Sequence, residues 1–357
     1  MRNHILAINP GSTSTKIALF EGHKQVFVTT LRHSIEELSQ YEKVSDQFEF
    51  RKQTILNALS ENKIEMDLIE AIVGRGGLVK PIKSGVYEVN EAMLRDLEEG
   101  VGGEHASNLG GLIAHNIAMT IKGCKAFIAD PVVVDELEPI ARITGLPLLE
   151  RRSIFHALNQ KAIAKSYAAS VNSTYESLNL IIAHLGGGVS VGAHCKGRVV
   201  DVNNALNGEG PFSPERSGTL PAYDFAKLCF SGKYTLDQVK KMITGEGGLV
   251  AHLGTNSFAV VEQKVSEGDE KFKLISDAFA YNVAKEIGAM SAALSGEIDA
   301  ILITGGIAYN TKLMDKLVHQ VSFIAPVKIF PGEDEMTALA MNGLAVLSGK
   351  EIPLIYE

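Results

Sequence analysis

The 357-residue sequence contains no tryptophan, only three cysteines, and no run of about 20 apolar residues that could cross a bilayer as a helix. The cysteines, Cys124, Cys195 and Cys229, are far apart and lack metal-site or redox spacing, which is typical of free thiols in a reducing compartment. The apolar run at the amino terminus is too short for a signal peptide. We therefore expect a cytoplasmic protein that does not enter a membrane.

Blocks of like charge are also missing. The formal net charge is −8 and the pI is about 5.7, so the sequence offers neither a basic stripe for nucleic acid nor a basic face for a membrane surface. Hydrophobic residues make up 45% of the chain, which indicates an ordinary globular protein. Small molecules are the expected partners.

The length exceeds what one hydrophobic core usually organises, so it favours two domains with a cleft between them. Alternating strands and helices predict an α/β fold. Beyond the repeat described below, buried strands are predicted at 126–129 and 300–304, and helices at roughly 112–122, 157–170, 272–294 and 335–348. Gly145 and Pro147 interrupt the pattern, which predicts a first domain at 1–150 and a second at 151–337, with the terminal helix, about 338–357, packing back on the first.

A strand, a glycine- and hydroxyl-rich loop and a second strand are predicted twice, at 5–8, 9–15 and 16–20 and again at 180–183, 184–190 and 191–193. An offset of 175 residues aligns Gly11 with Gly186 and Ala18 with Ala193. Matching glycines and alanines can arise by chance. These matches, however, fall at equivalent positions of the two strand-loop-strand segments, which favours a duplicated domain.

Each repeated loop suits a polyphosphate, because backbone N–H groups on a glycine-rich turn can approach phosphate oxygens closely. In NPGSTSTK at 9–16, hydroxyls such as that of Ser12 can donate hydrogen bonds and Lys16 adds a cation; in HLGGGVS at 184–190, an imidazole replaces the asparagine. Taken alone, each loop could be an ordinary hairpin turn. Neither G-x-x-x-x-G-K-[ST] nor G-x-G-x-x-G after a strand occurs, and a strand rather than a helix follows each loop. This order is typical of the actin, sugar kinase and heat-shock ATPase superfamily.

Four side chains are candidates for chemistry or substrate binding. Arg216, in an irregular loop, could clamp a phosphoryl group with its planar fork or form a surface salt bridge. His156, before a predicted helix, could donate to the transferring group or cap that helix. Asp130, after a buried strand, could organise the nucleophile or merely cap the turn with the next residue. His105, in the glycine-rich stretch 100–111, could line an acyl pocket or face solvent.

The first loop resembles the first signature of the acetate kinase family, and further segments resemble the butyrate kinases of that family. These segments follow one another along nearly the whole chain: VGRGG at 73–77, GGEHASN at 102–108, SIFHALN at 153–159, GPFSPERSG at 210–218 and FPGEDE at 330–335. The resemblance implies a duplicated ribonuclease H-like, or actin-like ATPase, fold. It also implies ATP/ADP and Mg²⁺ as cofactors, reversible phosphorylation of butyrate or a branched-chain relative to an acyl phosphate, and a homodimer or larger homo-oligomer.

Residue by residue, the resemblance assigns a role to each matching position. Asn9 belongs near the metal and phosphates, Lys16 toward the nucleotide, Asp130 as the active-site carboxylate, and His156 and Arg216 at the transition state. The second phosphate loop comprises His184, Gly186, Gly187 and Gly188, and the adenosine loop comprises Gly305, Gly306 and Ile307. Of the acidic residues Glu333, Asp334 and Glu335, the preferred metal ligand is Glu335.

Arg75 is the expected substrate anchor, but this part of the sequence departs from the family pattern. Acetate kinases have a histidine before the Gly-Gly pair and a substrate arginine slightly upstream, where this chain has Ile72. Acetate or propionate kinase activity remains an alternative that would differ in the size of the acyl pocket. A nucleotide-dependent switch of the same fold is the alternative outside this enzyme class.

Overall fold

The computed structural model describes residues 3–357, which divide into two compact units. Unit 1 runs to Val134 and resumes at Asp334, and unit 2 comprises Asp135–Glu333. From the sequence, the chain is predicted to pass from the first domain to the second after residue 150 and to return to the first after residue 337. The strands are β1 His4–Pro10, β2 Ser14–Glu21, β3 Lys24–Arg32, β4 Ile69–Arg75, β5 Val86–Glu88, β6 Lys125–Ala129, β7 Asn179–Leu185, β8 Val189–Cys195, β9 Arg198–Val202, β10 Ala300–Gly305 and β11 Val327–Pro331.

Helices occupy the longer connections between the strands. They are α1 Ile35–Leu38, α2 Phe48–Glu61, α3 Glu91–Glu99, α4 Asn108–Ala118, α5 Pro139–Arg142, α6 Ala157–Ser170, α7 Ala222–Cys229, α8 Leu236–Thr244, α9 Gly248–Leu253, α10 Phe258–Ser266, α11 Glu270–Ala293, α12 Thr311–Val321 and α13 Glu335–Leu347. Within the described residues, no helix is both long and apolar enough to cross a bilayer.

Unit 1 is built on a mixed sheet with the order β3-β2-β1-β4-β6-β5. Its central strand β1 carries a continuous apolar run, Ile5 to Ile8, in which each residue is fully buried, because helices cover both faces of the sheet. Helix α4 packs against β4 and β6, and α13 packs against β1 and β4 with Gly343 facing Ile5. The terminal helix therefore belongs to the first unit.

Unit 2 repeats this plan with the order β11-β10-β7-β8-β9. The pairs β7–β8 and β8–β9 are antiparallel, and β7–β10 and β10–β11 are parallel, as are the corresponding pairs around β1 in unit 1. Strand β7 begins and ends 175 residues after β1. The predicted two-domain, duplicated α/β fold is confirmed.

Parallel strands bring their carboxyl ends to one edge of each sheet, where ligands of α/β proteins usually bind. In unit 1 this edge carries the ends of β1, β4 and β6, which are Pro10, Arg75 and Ala129. In unit 2 it carries the ends of β7, β10 and β11. The candidate residues at strand ends therefore gather at one edge within each unit.

Some predicted elements differ from the structure. The helix predicted at 112–122 is α4, which begins and ends four residues earlier, at Asn108–Ala118. The helices α1 to α3, α5, α7 to α10 and α12 were not predicted. Of these, α7 to α10 span only six to nine residues each and α7 has no buried residue, so each offers a short stretch of apolar pattern.

Candidate active site

The first glycine loop is held from behind by Arg51, a fully buried arginine of α2. Its guanidinium donates to the backbone oxygens of Gly11 (2.7 Å), Ser12 (3.0 Å) and Ser14 (3.2 Å). It also donates to Thr15 Oγ1 at 3.2 Å and to the side chain of Gln47. Burial lowers the Arg51 pKa, but an arginine remains charged at neutral pH. One cation therefore sets the path of the loop.

Asn9, Arg75 and Glu335 form a hydrogen-bonded cluster at the carboxyl edge of unit 1. Asn9 Nδ2 donates to Glu335 Oε2 at 2.6 Å, and Arg75 Nη1 donates to Asn9 Oδ1 at 3.3 Å. Arg75 Nη2 lies 3.2 Å from Glu335 Oε1, and the Glu335 side chain is 14% exposed. Three residues predicted from separate segments are thus in contact, and the acidic member is Glu335.

Asp130 follows β6 with a left-handed backbone, φ +39°, and is almost fully buried. Such a conformation is uncommon for a residue other than glycine and is frequently found at functional sites. Its Oδ1 accepts hydrogen bonds from Ser84 Oγ at 2.6 Å and from the backbone N–H of Gly85 at 2.9 Å. The carboxylate is therefore fixed in position.

The other predicted residues of unit 1 lie nearer the surface. Ser12 is exposed at the tip of the first loop, and the exposed Lys16 lies directly across the β1–β2 ladder from Asn9. His105 is exposed in the turn before α4, where its Nδ1 lies 2.8 Å from Ser107 Oγ. The nucleotide role of Ser12 and Lys16 and the substrate role of His105 stay predictions.

The second glycine loop lies against catalytic candidates of unit 2. A Cβ added at Gly188 would lie 2.0 Å from Arg216 Nη1 and 3.3 Å from His156 Cε1, and one added at Gly186 would lie 2.8 Å from Glu333 Oε1. Gly187 has no neighbour within 4 Å of such a Cβ. Gly186 and Gly188 therefore leave room for an arginine, a histidine and a glutamate, and Gly187 is the exposed residue of the turn.

His156 and His184 stack face to face, with ring centroids 3.8 Å apart and an interplanar angle of 11°. His184, the penultimate residue of β7 and paired with Ser190 of β8, is 1% exposed. Its Nδ1 lies 2.8 Å from Asn159 Oδ1 and its Nε2 lies 3.0 Å from Glu333 Oε1. The side chain of Glu333, which the sequence predicts with Glu335 as a possible metal ligand, therefore lies against the second glycine loop.

Arg216 is partly buried, with Nη1 donating to the carbonyl of Ala205 at 2.6 Å. Burial lowers the pKa of its guanidinium, and Glu215 opposes this effect. Ser213, from the same loop, is buried and donates from Oγ to the Gly187 carbonyl at 2.7 Å. The loop that carries Arg216 is thus bonded directly to the glycine turn.

The predicted adenosine loop follows β10 at the same sheet edge. Gly305 has φ +95°, and a Cβ there would lie 2.2 Å from the carbonyl oxygen of Leu185, so only glycine fits. Gly305 and Gly332 exchange backbone hydrogen bonds of 3.2 and 3.0 Å. Gly306 and Ile307 begin a short 3₁₀ helix. Their contact with adenosine stays a prediction.

Sequence reasoning missed Arg51 and the polar residues Gln160 and Ser190 that lie behind His156. A signal for two of them exists: Arg51 occupies the buried stripe of α2 one turn before Ile55, and Gln160 lies on the largely buried first turns of α6. A polar residue on the buried face of a helix needs partners, which points to a buried network.

In residues 3–357, no group of three or more histidine, cysteine, aspartate and glutamate side chains is arranged to hold a metal ion by itself. Magnesium usually takes only one or two protein carboxylates and completes its shell with water and phosphate oxygens. The carboxylate of Glu335 beside Asn9 is compatible with such a sparse site.

The fold matches that of acetate and propionate kinases of known structure. A crystal structure of the acetate kinase from Porphyromonas gingivalis superimposes with a TM-score of 0.77 over 97% of this chain and all of that chain, at 19% identity. Sequence comparison then identifies the family: residues 144–343 match the Acetokinase family, and the chain belongs to it. Butyrate kinase 2 of Clostridium acetobutylicum is 58% identical over the full length of both chains, and Butyrate kinase 1 of that organism is 56% identical over 99% of both. The predicted family is confirmed.

Proposed function

We propose that this chain catalyses the reversible transfer of the γ-phosphoryl group of ATP to a short-chain fatty acid, butyrate or a branched-chain relative, to give an acyl phosphate. The 58% identity to Butyrate kinase 2, which extends over the whole of both chains, supports the choice of substrate. The site chemistry of unit 2 supports the choice of reaction.

The observation that carries the proposal is the convergence of Arg216 and His156 on Gly188 of the second glycine loop. ATP and a carboxylate are both anions, so their reaction depends on positioning and on neutralising the charge of the transferring group. A partly buried guanidinium supplies positive charge, while the imidazole of His156 and the backbone N–H groups would donate hydrogen bonds to the transferring phosphoryl group. We assign Arg216 and His156 to the transition state, and His184, Gly186, Gly187 and Gly188 to the phosphates.

Unit 1 would contribute the first phosphate loop and the metal site. Asn9 and Glu335 would hold the magnesium ion of the nucleotide, directly or through water, and the ion would neutralise charge on the phosphates. Ser12 and Lys16 would contact the nucleotide, while Gly305, Gly306 and Ile307 of unit 2 would contact adenosine.

Arg75 is the proposed carboxylate anchor, with His105 at the acyl chain. The planar guanidinium of Arg75 contacts Asn9 through Nη1 and Glu335 through Nη2. It has further N–H donors, and these would bind the carboxylate of the substrate. Asp130 would orient the nucleophile rather than act as a strong base, because a fatty acid with a pKa of about 4.3 is already ionised at neutral pH.

The test is an acid panel. Acetate, propionate, butyrate, isobutyrate and valerate are each incubated with Mg²⁺-ATP and hydroxylamine, which traps acyl phosphate as a hydroxamate. We expect butyrate or a branched acid to give the highest kcat/KM, with smaller rates for neighbours, since one methylene changes discrimination by about 1–3 kcal/mol. A preference for acetate or propionate would assign that acid as the substrate in place of butyrate. Absence of hydroxamate with every acid would overturn the proposal.

The same assay separates the kinase from a nucleotide switch. A kinase shows ATP turnover that depends on added carboxylate, whereas a switch hydrolyses ATP slowly without it. ADP release in the absence of any acid therefore serves as the control reaction.

We further propose that the protein is a cytoplasmic homo-oligomer without nucleic-acid or membrane partners. Unit 2 carries exposed apolar side chains around α7 and α8, including Tyr223, Phe230 and Leu236, which suit contact with a second copy of the chain. Sedimentation of the purified protein would show a dimer or larger species, and a monomer at micromolar concentration would reject this part of the proposal.

A further inference from the structure

We infer that a buried hydrogen-bond chain, Tyr175–His194–Gln160–Ser190, holds His156 as the neutral tautomer protonated on Nε2. Ser190 and Gln160 are then positioning residues, because they act on the reaction only through the ring of His156. The inference rests on the proposed function, in which His156 donates a hydrogen bond to the transferring phosphoryl group.

The direction of the chain is set at Gln160, a fully buried residue. Its Nε2 lies 3.1 Å from the backbone carbonyl oxygen of Ser190 and 2.9 Å from Ser190 Oγ. A carbonyl oxygen can only accept, so the amide nitrogen must face Ser190 and Oε1 must face the other way. Both amide hydrogens are then used on Ser190.

The orientation of Gln160 in turn fixes His194. Gln160 Oε1 lies 2.8 Å from His194 Nε2, which must therefore carry a hydrogen. His194 is fully buried, and desolvation, aided by the nearby Lys161, lowers its pKa well below the usual value, so the ring is neutral. Its Nδ1 consequently accepts the hydrogen bond from Tyr175 Oη, 2.6 Å away.

At the other end, the hydroxyl of Ser190 must donate to His156. Ser190 Oγ accepts from Gln160 Nε2 and lies 3.4 Å from the backbone nitrogen of His156, so donors face both of its lone pairs. Its hydrogen points to the remaining neighbour, His156 Nδ1, at 2.8 Å. A ring that accepts on Nδ1 is neutral and carries its hydrogen on Nε2.

The residues packed around the hydrogen-bond chain hold its donors and acceptors in a single arrangement. Ser190, Gln160 and His194 are each essentially inaccessible to solvent, so water does not compete for their hydrogens. A Cβ at Gly192 would lie 2.7 Å from Gln160 Oε1, so the glycine leaves room for the amide in its observed position. Stacking against His184 holds the His156 ring in its plane.

The consequence is a donor prepared before substrate binds. A positioned proton-bearing group contributes about 10²–10⁴ in rate when its geometry and protonation are correct. If the donors and acceptors of this hydrogen-bond chain were exchanged, His156 would present a different tautomer to the phosphoryl group. This change should therefore reduce kcat without weakening nucleotide binding.

Gln160→Glu makes this reversal with almost no change of shape. A carboxylate accepts from Ser190 Oγ, so His156 must donate from Nδ1. Long-range ¹H–¹⁵N spectra of histidine-labelled protein would report the protonated nitrogen. We expect Nε2–H for His156 in the unsubstituted protein, Nδ1–H in Gln160→Glu, and a kcat lower by about 10²–10³ with KM for ATP within about threefold.

The exposed Gln320→Glu, on α12 of the same unit, is the matched control and should keep both kcat and the His156 spectrum. If Gln160→Glu does not fold, Ser190→Ala is the second variant and should give a mixture of tautomers with reduced kcat. Nδ1–H in the unsubstituted protein, or an unchanged tautomer in the folded variants, would overturn the inference. Because the spectrum needs no turnover, this result is distinct from the absence of hydroxamate that would overturn the proposed function.

Discussion

Replacing Arg51 with methionine should loosen the first glycine loop and destabilise unit 1. Methionine fills a similar volume in α2 but cannot donate to the carbonyls of Gly11, Ser12 and Ser14. It also leaves the buried Gln47 side chain without the two hydrogen bonds that it accepts from the guanidinium.

The size of the effect follows from these contacts. An unsatisfied buried acceptor such as Gln47 Oε1 costs about 1–3 kcal/mol. The loop carbonyls are less buried and can be rehydrated, so each hydrogen bond lost there costs about 0.5–1.5 kcal/mol. Relief from burying the charge offsets part of the sum, and we expect the free energy of unfolding of unit 1 to fall by about 3 kcal/mol.

Nucleotide binding should weaken as well. Ordering the backbone of one residue costs about 1–2 kcal/mol, so a loop released at one or two residues raises the Kd for ATP by a factor of about 5 to 900. Urea unfolding followed by hydrogen exchange of unit 1 amides gives the stability, and calorimetric titration with Mg²⁺-ATP gives the Kd.

Arg95→Met is the matched control, since Arg95 is an exposed arginine on a helix of the same unit. It should change the unfolding free energy by less than about 0.5 kcal/mol and leave the Kd unchanged. If Arg51→Met matched this control in both measurements, the assignment of Arg51 as the organiser of the loop would be wrong.

Three further predictions concern Asp130, Gly188 and His194. Asp130→Asn should keep the fold, because an amide oxygen can still accept from Ser84 and Gly85, but should lower kcat at least about 100-fold in the hydroxamate assay; undiminished activity would argue against a catalytic role. Gly188→Ala should displace Arg216, whose Nη1 would lie 2.0 Å from the new Cβ, and should lower kcat at least about 100-fold, whereas Gly288→Ala, with no neighbour within 4 Å, should not; equal rates for the two variants would count against the geometry. Since burial lowers the pKa of His194 well below its ordinary value of 6.5, the unfolded chain takes up a proton there first; stability of unit 2 should be full above pH 6.5 and should decline as the pH falls below it, by at most about 1.4 kcal/mol per pH unit, and a urea midpoint equally pH-dependent in His194→Gln would contradict this assignment.

The sequence was sufficient for the parts of the fold that have strong local signals. The apolar runs at β1 and β7 are buried on both faces, so they stand out, and the glycine loops after them mark the turns. Helix α6 begins and ends where periodicity predicted, at Ala157–Ser170. The short helices α7 to α9 were missed, and so were α3 and α12; α3, α8 and α12 are amphipathic, so a signal for them was present in the sequence.

Candidate residues could be identified where a motif carries both the residue and its backbone context. Asn9, Arg75 and Glu335 come from three motifs, and the structure joins them through hydrogen bonds. Long-range partners were not predictable, because Arg51 lies 40 residues from Gly11 and Gln160 lies 30 residues from Ser190. Pairings at such separation depend on packing and not on local pattern.

The most direct test of the account is the effect of Arg216→Ala on binding and turnover measured side by side. Calorimetry with Mg²⁺-ATP should give a Kd close to that of the unsubstituted protein, while butyrate-dependent hydroxamate formation should fall by about 10³-fold or more, because the arginine acts on charge that develops during transfer. Retention of more than about a tenth of kcat in a folded Arg216→Ala protein would contradict the central claim that this guanidinium stabilises the transferring phosphoryl group.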